Sequence, residues 1–367
     1  MKIDQITLTH VRVPLLEPFR ISSGEIAEKD AILVGVFSEG LMGYGESSPM
    51  SGTFYSDETP ESAWNCLTDE LIPRVLRSAP GSIGEVNSLL DQTKGNAFAK
   101  AGMETAFWDL EAQKGRMPLH ALLGSDCKQV ESGLAVGMYP TIRELLLAMD
   151  KYLVEGYKRV KIKIQPGWDM KPLSEVRGEF GTIPLMVDAN CAYTRKDLDH
   201  LKGLDDFDLI MVEQPLAKDD LEGHANLQSI MRTPVCLDES AKDVATVQKA
   251  IEMKACKIVN IKIQRVGGLQ NAKKVHDLCA AHGIPVWGGT MPELGIGGAQ
   301  TVHLATLGNF LFPTDVESSR RWFVDDIINP LLEVQNGMIT IPEGIGNGYN
   351  VDSRKVQQYK VRGESFR

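Results

Sequence analysis

The sequence has no apolar run of about 18 residues, so it contains no segment typical of a transmembrane helix. Residues 1–13 alternate like a β-strand and lack the apolar core of a signal peptide. No stretch is rich in lysine and arginine, and the formal net charge of −10 argues against nucleic-acid binding. We therefore expect a cytoplasmic protein that binds neither nucleic acid nor membrane.

Cysteine is scarce, and its spacing excludes two kinds of framework. No CxxC pair occurs, and the cysteines are scattered in apolar surroundings, which argues against zinc ligation and against disulfides. The sequence predicts reduced core thiols at Cys66, Cys127, Cys191, Cys236, Cys256 and Cys279. The histidines show no metal-ligand spacing either.

The remaining composition is that of an ordinary globular protein, and its length favours two domains. Residues 1–125 have an α+β texture, with a hairpin predicted around Glu39-Gly40 and a helix over 99–115. Residues 126–325 form the second predicted domain. The final residues, 326–367, contain no further βα unit, and we expect them to pack back on the first domain.

In the second domain, short β-rich runs alternate with amphipathic helical stretches, as in βαβ units of a parallel sheet. Even spacing and the lack of a glycine-rich dinucleotide loop favour a (β/α) barrel over a doubly wound open sheet. The eight runs are 132–139, 159–164, 184–190, 209–215, 234–240, 257–263, 285–290 and 311–317.

Charged residues recur in these runs at a regular interval. Lys163, Asp188, Glu213 and Asp238 are each 25 residues apart, and Lys262 follows after 24. Each lies near the end of its run, just before a polar loop. Because the carboxyl ends of barrel strands ring one face, where active sites of this fold lie, the five side chains should converge on one barrel mouth.

The three acids of this series would repel one another strongly without a cation. Carboxylate oxygens are hard ligands that suit Mg²⁺. A single acid at a strand end is more readily explained as a helix cap or a partner of a surface base, but three at equal spacing favour a metal site. We expect the nearby Asn190 and Glu239 to orient the ligands.

The two lysines should lie on opposite sides of the mouth, because the acid-bearing strands separate them. Burial and a nearby cation should lower the pKa of Lys163 and Lys262, which would let them act as bases near neutral pH. Such a pair suits removal of the proton α to a metal-bound carboxylate; the alternative is two surface lysines. Lys161 and Arg265 are predicted to lower the pKa of these bases by like charge, or, for Arg265, to bind a substrate anion.

The segments VKIKIQ, VDAN, VEQP, LDES and IKIQRVGG resemble the enolase superfamily and, more narrowly, its muconate-lactonizing subgroup. The resemblance covers nearly the whole chain. It implies an α/β fold, a (β/α)7β TIM-like barrel with an N-terminal α+β capping domain whose loops close over the substrate. It also implies Mg²⁺ held by Asp188, Glu213 and Asp238, with Lys163 and Lys262 as acid/base residues.

Within the subgroup, FPTDVESSRRWFVDDI and KIQRVGG most resemble the o-succinylbenzoate synthase / N-succinylamino acid racemase family, whose two activities commonly share one site. The resemblance implies α-proton abstraction from a small carboxylate substrate, either in a dehydration of the menaquinone pathway or in racemisation. A muconate cycloisomerase and a dipeptide epimerase stay open; the latter would carry DxD where this chain has Asp315-Val-Glu317. A Schiff-base aldolase, from another reaction class, would leave the acids unexplained.

Residues outside the barrel strands are expected to contact the substrate. These are Phe19, Phe54 and Tyr55 of the capping domain, for which ordinary loop packing is the alternative. Glu293 follows the seventh strand, in a loop one residue longer than the family pattern. The glycine-rich residues 295–298 should open a helix whose N-terminus can hold an anion. Barrels of this type often assemble, so a homo-oligomer is expected.

Overall fold

The protein, described here from a computed structural model over residues 2–367, begins with an antiparallel sheet. Its strands are β1 (Gln5–Ile21), β2 (Gly24–Ser38), β3 (Leu41–Ser47) and β15 (Lys360–Phe366), in the order β15-β1-β2-β3. The predicted hairpin is confirmed. Ser38 pairs with Leu41, and Glu39 and Gly40 between them have φ of 52° and 83°, as a two-residue type I′ turn requires.

Five helices follow β3 in the chain. They are α1 (Pro60–Asn65), α2 (Ile72–Ser78), α3 (Ile83–Leu90), α4 (Ala97–Lys114) and α5 (Leu119–Leu123), with a π-helical stretch, Cys66–Leu71, between α1 and α2. The helix predicted over 99–115 is thus confirmed. It lies directly on β3 because glycine occupies the contact: a Cβ at Gly45 would overlap the carbonyl of Gly102, and one at Gly43 that of Ala106.

Seven of the eight predicted barrel runs contain a strand, and the strands form one parallel sheet in sequence order. They are β5 (Leu134–Val136), β6 (Val160–Lys163), β7 (Leu185–Asp188), β8 (Val212–Glu213), β9 (Val235–Leu237), β10 (Ile258–Ile261) and β11 (Val286–Gly288).

The eighth run, 311–317, closes the ring without forming a regular strand, so that part of the prediction is wrong. Asp315 N donates to the carbonyl of Gly288 at 2.9 Å on one side, and Gly133 N donates to that of Thr314 at 2.8 Å on the other. Pro313 has no N–H to donate, and this interrupts the ladder. Single hydrogen bonds that join the eighth run to Gly288 and Gly133, and not a regular strand, therefore close the barrel.

Helices and short turns alternate with the barrel strands. They are α6 (Ile142–Leu153), α7 (Met170–Phe180), α8 (Leu198–Lys202), α9 (Leu221–Ile230), α10 (Val244–Glu252), α11 (Ile263–Val266), α12 (Leu269–Ala281), α13 (Gly295–Leu304) and α14 (Ser319–Trp322), with 3₁₀ turns Arg195–Asp197 and Gly203–Phe207. Sequence signals explain their starts: Thr141 and Glu144 form a capping box at α6, and Asp243 caps α10. Within residues 2–367, every helix is too short or too polar to span a bilayer.

The last residues return to the first sheet, where Phe366 of β15 pairs with Ile6. On the way they form α15 (Ser353–Gln358) and two small antiparallel pairs. One pair is β4 (Gln129–Glu131) with β13 (Met338–Thr340), and the other is β12 (Ile328–Asn329) with β14 (Asn350–Val351). The boundaries 1–125, 126–325 and 326–367 stay a prediction.

Buried carboxylates of α4 attach the first part of the chain to the barrel and to the C-terminal segment. Glu104 accepts hydrogen bonds from the backbone N–H of Leu269 and Gln270, at 2.8 and 2.9 Å, and so caps α12. Asp109 accepts from the N–H of Asn347 at 2.7 Å. These contacts fix how the capping domain sits on the barrel.

The cysteine prediction holds in part. All six are free thiols, and Cys66, Cys236, Cys256 and Cys279 are buried. Cys127, however, is exposed, because it lies in the connection between α5 and β4. Its neighbours in sequence, Asp126 and Lys128, are charged and exposed, so this cysteine does not lie in the apolar context that was expected.

Gly45→Ala tests the close contact between β3 and α4. The added Cβ has no space against a backbone carbonyl, so we expect a loss of about 1–3 kcal/mol in the free energy of unfolding, measured by urea denaturation. Gly84→Ala in α3 is the control, because its nearest neighbour beyond the adjoining residues would be Ser82 Oγ at 3.8 Å. Equal stability of the two variants would contradict this account.

Candidate active site

The charged residues that recur along the barrel strands meet at one mouth, as their spacing predicts. Lys163 Nζ lies 2.6 Å from Asp188 Oδ2, and Lys262 Nζ lies 2.8 Å from Asp238 Oδ2. Glu213 lies between these pairs and is fully buried. Each lysine is less than 7% exposed, so neither is a surface residue that merely ends its strand.

Lys161 connects the acids of the mouth. Its ammonium lies 2.7 Å from Asp315, 3.1 Å from Glu213 and 3.3 Å from Asp188. Burial alone would lower the pKa of Lys161, but the three carboxylates raise it well above its ordinary value. Lys161 is therefore a fixed positive charge at the centre of the site.

The contacts that Lys262 makes with this chain's own residues raise its pKa, and the lowering expected beside a bound cation stays a prediction. Burial lowers the pKa of Lys262, but the charge of Asp238 raises it further, and the balance is upward. The guanidinium of Arg265 does act as predicted, because its like charge lowers the pKa of Lys262. The ion pair with Asp238 outweighs it.

Burial and the neighbouring charges shift the pKa values of the acids. Burial and the charges of Asp188 and Asp238 raise the pKa of Glu213 to about 8, although Lys161 lowers it. Burial would raise the pKa of Asp238 too, but Arg265 and Lys262 hold it well below its usual range. The pKa of each acid is therefore set by the balance between burial, its acidic neighbours and the cations beside it.

The donor set fits a divalent metal in its chemistry but is not assembled around one point. Within residues 2–367, no three histidine, cysteine or carboxylate side chains form a ready ligand cluster, since Asp188 and Asp238 each contact a lysine. Asp238 Oδ1 is buried and accepts no hydrogen bond, although Arg265 Nη2 lies 3.1 Å away. Hard carboxylate oxygens of this kind suit Mg²⁺.

Asn190 and Glu239 lie among these groups. Asn190 accepts a hydrogen bond from Lys163 Nζ at 2.9 Å, and its backbone N–H donates to Asp188 at 2.9 Å. Its side-chain amide also donates to Glu239 at 3.0 Å. Asn190 thus links three of the predicted site residues.

Two of the four expected substrate contacts lie at the mouth. Phe19 and Tyr55 line a cavity beside the lysines, and the Tyr55 hydroxyl accepts from Lys262 Nζ at 2.7 Å and donates to Asp238 at 3.1 Å. The ring of Phe54 lies instead against Gly24, because residues 51–55 form consecutive bends that turn the two aromatic side chains apart. Glu293 accepts from the N–H of Met291 in a separate buried cluster.

The cavity between the capping domain and the barrel has a volume of about 30 Å³. Its walls are mostly apolar apart from the lysines, Asp315 and Asn190. The lining residues are Phe19, Ile21, Met50, Tyr55, Ala135, Lys161, Lys163, Asn190, Lys262, Thr290, Pro292, Asp315 and Trp322.

Sequence reasoning missed residues that hold the acids in place. Asn260 donates to Glu213 at 2.8 Å, and Gln214 accepts from the N–H of Asp238 at 2.9 Å. Alternation along the strand was the available signal for Asn260, because it shares a face with Lys262 just as Lys161 does with Lys163. No comparable signal marks Gln214, whose side chain crosses to the next strand.

This barrel with its capping domain and its ring of lysines and carboxylates has the architecture of enolase-type enzymes. Residues 144–356 match the enolase C-terminal domain-like family, and residues 3–124 match the N-terminal domain of mandelate racemase / muconate lactonizing enzyme. The chain belongs to the muconate-lactonizing branch of the enolase superfamily.

Individual relatives show which members of the family this chain resembles. The chain is 44% identical to an o-succinylbenzoate synthase of Geobacillus stearothermophilus, over 98% of this chain and 96% of the relative. It is 42% identical to an N-succinylamino acid racemase of Amycolatopsis sp, over 95% of each. A solved structure of an enolase superfamily member from Listeria innocua superposes with a TM-score of 0.95 at 35% identity, covering 100% of this chain and 99% of the other.

Proposed function

We propose that this chain is a Mg²⁺-dependent o-succinylbenzoate synthase that also racemises N-succinylamino acids. One observation carries the proposal: two buried lysines, Lys163 and Lys262, flank buried carboxylates at one barrel mouth. The names of the relatives at 44% and 42% identity support both activities. Removal of the proton α to a carboxylate is the step that these activities share.

In this proposal Lys163, as a neutral amine, takes the α-proton, and the electron pair of the C–H bond moves into the carboxylate to form an enediolate. For racemisation, Lys262 returns a proton to the opposite face of the same carbon. For dehydration, the ammonium of Lys163 gives its proton to the β-hydroxyl, the C–O bond breaks and water leaves. Lys262 then stays protonated and stabilises the negative charge.

Asp188, Glu213 and Asp238 are the proposed Mg²⁺ ligands. When bound, Mg²⁺ would supply the positive charge that stabilises the enediolate. The raised pKa of Glu213, about 8, supports the assignment, because burial and its acidic neighbours disfavour its charged form without more positive charge nearby. Asn190 and Asn260 orient these carboxylates through their hydrogen bonds to Asp188 and Glu213.

The contacts of the eighth barrel segment disfavour a dipeptide epimerase. Asp315 is held by Lys161 at 2.7 Å and by Arg159 at 2.8 Å. Glu317 accepts from the N–H of Ala135 at 2.8 Å and lies 3.3 Å from Arg321. Both carboxylates are already paired with cations of this chain, which weakens their attraction for the ammonium group of a dipeptide. A Schiff-base aldolase is disfavoured because it would leave Lys163 and the three buried carboxylates without a role.

Proton exchange in D₂O, followed by NMR, tests the roles of the lysines. With Mg²⁺, the unmodified protein should exchange the α-proton of both enantiomers of an N-succinylamino acid and should dehydrate the cyclohexadiene precursor of o-succinylbenzoate. Lys163→Ala should lose exchange of one enantiomer and Lys262→Ala that of the other, each by about 10²–10⁴-fold.

Lys242→Ala is the matched control, because Lys242 is half-exposed and pairs with the exposed Asp219. Its exchange rates should equal those of the unmodified protein. Absence of both exchange and dehydration in the unmodified protein would overturn the proposed function. Equal loss for both enantiomers in each lysine variant would overturn the assignment of one base to each face.

Metal dependence has two readouts. EDTA should abolish turnover and Mg²⁺ should restore it, while Mg²⁺ alone should raise the Tm, since a ligand that binds only the folded state stabilises it. Glu213→Gln should lose the Tm response. Full activity in EDTA, or an unchanged Mg²⁺ response in this variant, would contradict the ligand assignment.

Substrate choice follows from the occupied carboxylates of the eighth segment. We expect kcat/KM for dipeptides to be at least about 100-fold below that for N-succinylamino acids, because a dipeptide would leave its ammonium group buried without a partner. Comparable kcat/KM values for the two classes would show that Asp315 or Glu317 is available to the substrate.

A further inference from the structure

A second group of charged and polar side chains is buried between the capping domain and the barrel, outside the ring of lysines and acids. Lys29, Glu46, Gln264 and Glu293 form this group, which we call the buried seam. Their exposures are 1%, 0%, 1% and 7%. Burying charge of this kind is costly unless each group is paired, so its contacts need an explanation.

Lys29 ties together two loops that line the catalytic cavity. Its ammonium donates to the carbonyls of Ser48 and Met291, each at 3.0 Å. Ser48 begins the capping loop, residues 48–59, which contributes Met50 and Tyr55 to the cavity wall. Met291 belongs to the β11 loop, residues 289–294, which contributes Thr290 and Pro292. The Lys29 side chain therefore sets the distance between the capping loop and the β11 loop, which both line the cavity.

Glu46 fixes the β11 loop from its other end. Its carboxylate accepts from the N–H groups of Leu294 and Gly297, each at 2.8 Å, and from the Ser48 hydroxyl. The anion expected at this glycine-rich helix start is thus a side chain of the capping domain. Burial raises the pKa of Glu46 to about 7, while the hydrogen bond from Ser48 and the charge of Lys29 lower it.

Gln264 brings in the segment that carries Lys262. Its side-chain amide donates to the carbonyl of Glu46 at 2.7 Å and accepts from the N–H of Ser48 at 3.0 Å. This two-point contact resembles the pairing of one more strand residue with β3. Lys262 lies two residues earlier, and its Nζ reaches the Tyr55 hydroxyl at 2.7 Å. The contact between Tyr55 of the capping loop and Lys262 depends on this alignment.

We infer that Lys29, Glu46 and Gln264 are positioning residues that hold the capping loop and the Lys262 segment in register. They act through backbone groups and do not touch the reacting atoms. Lys163, across the mouth, contacts Asp188 and Asn190 and lies near Phe19, none of which belongs to the seam. The buried seam therefore positions Lys262 and not Lys163. The inference rests on the proposed function for its kinetic consequence.

The experiment uses the full chain with Mg²⁺ and separate D and L N-succinylamino acids in D₂O. Lys262→Ala first identifies the enantiomer that depends on Lys262. Lys29→Met and Gln264→Leu should then slow exchange of that enantiomer by about 10²-fold, because misplacement of about 1 Å costs this much. Exchange of the other enantiomer should change little.

Glu104→Gln is the matched control, because Glu104 is an equally buried capping-domain carboxylate that caps a barrel helix, α12, and does not line the cavity. It should lower stability and leave the ratio of the two exchange rates unchanged. An unchanged ratio in both seam variants, or the same altered ratio in the control, would overturn the inference.

Backbone hydrogen–deuterium exchange measured by mass spectrometry gives a readout that needs no turnover. Lys29→Met should weaken protection in residues 48–59 and 289–294, and Gln264→Leu in 48–59 and 262–266, whereas Glu104→Gln should spare 48–59 and 289–294. Unchanged protection in the seam variants would overturn the inference. Failure of the unmodified protein to exchange either enantiomer would instead count against the proposed function, and protection would still decide the role of the seam.

Discussion

Buried negative charge at the barrel mouth is the constraint on which the rest of the site depends. Asp188, Glu213 and Asp238 are each no more than 1% exposed. A buried carboxylate is destabilising unless positive charge and hydrogen bonds lie beside it. The chain meets this demand with Lys161 and with one further lysine on either side. Lysine in the middle of an apolar strand, which is rare elsewhere, is required here because the acids are buried there too.

The capping domain follows from the same constraint. Charge interactions strengthen as water is excluded, and the barrel alone leaves its mouth open. Phe19 and Tyr55 close it from the capping side, and the Tyr55 hydroxyl completes the hydrogen bonds of Lys262 and Asp238. A cover that forms polar contacts must be placed accurately, which explains why buried carboxylates such as Glu46 and Glu104 bind backbone N–H groups of barrel helices.

The ring of charged residues could be predicted because each βα unit adds a similar number of residues, so a regular interval in sequence becomes a regular position around a barrel. The hairpin at Glu39-Gly40 was predictable from local chemistry. The irregular form of the eighth run was not predicted, because Pro313 interrupts the pairing of a segment that is otherwise β-rich in sequence. The seam was not predictable either, since Lys29 and Met291 are distant in sequence and their contact has no periodic signal.

The tetrapeptide Ile-Lys-Ile-Gln occurs on the second and sixth barrel strands, and the two copies differ in what surrounds them. Two residues before Lys163, on the same face of its strand, lies Lys161. The equivalent residue before Lys262 is Asn260. Both reach Glu213, Lys161 at 3.1 Å with a positive charge and Asn260 at 2.8 Å with a neutral amide. Glu213 is therefore held in place from both sides, by an ion pair with Lys161 and by the neutral amide of Asn260. A second lysine at position 260 would place excess positive charge beside Lys262, whereas a neutral amide at position 161 would remove the direct ion pair of Glu213. The sequence difference thus keeps the charge of the centre balanced while the geometry stays nearly symmetrical.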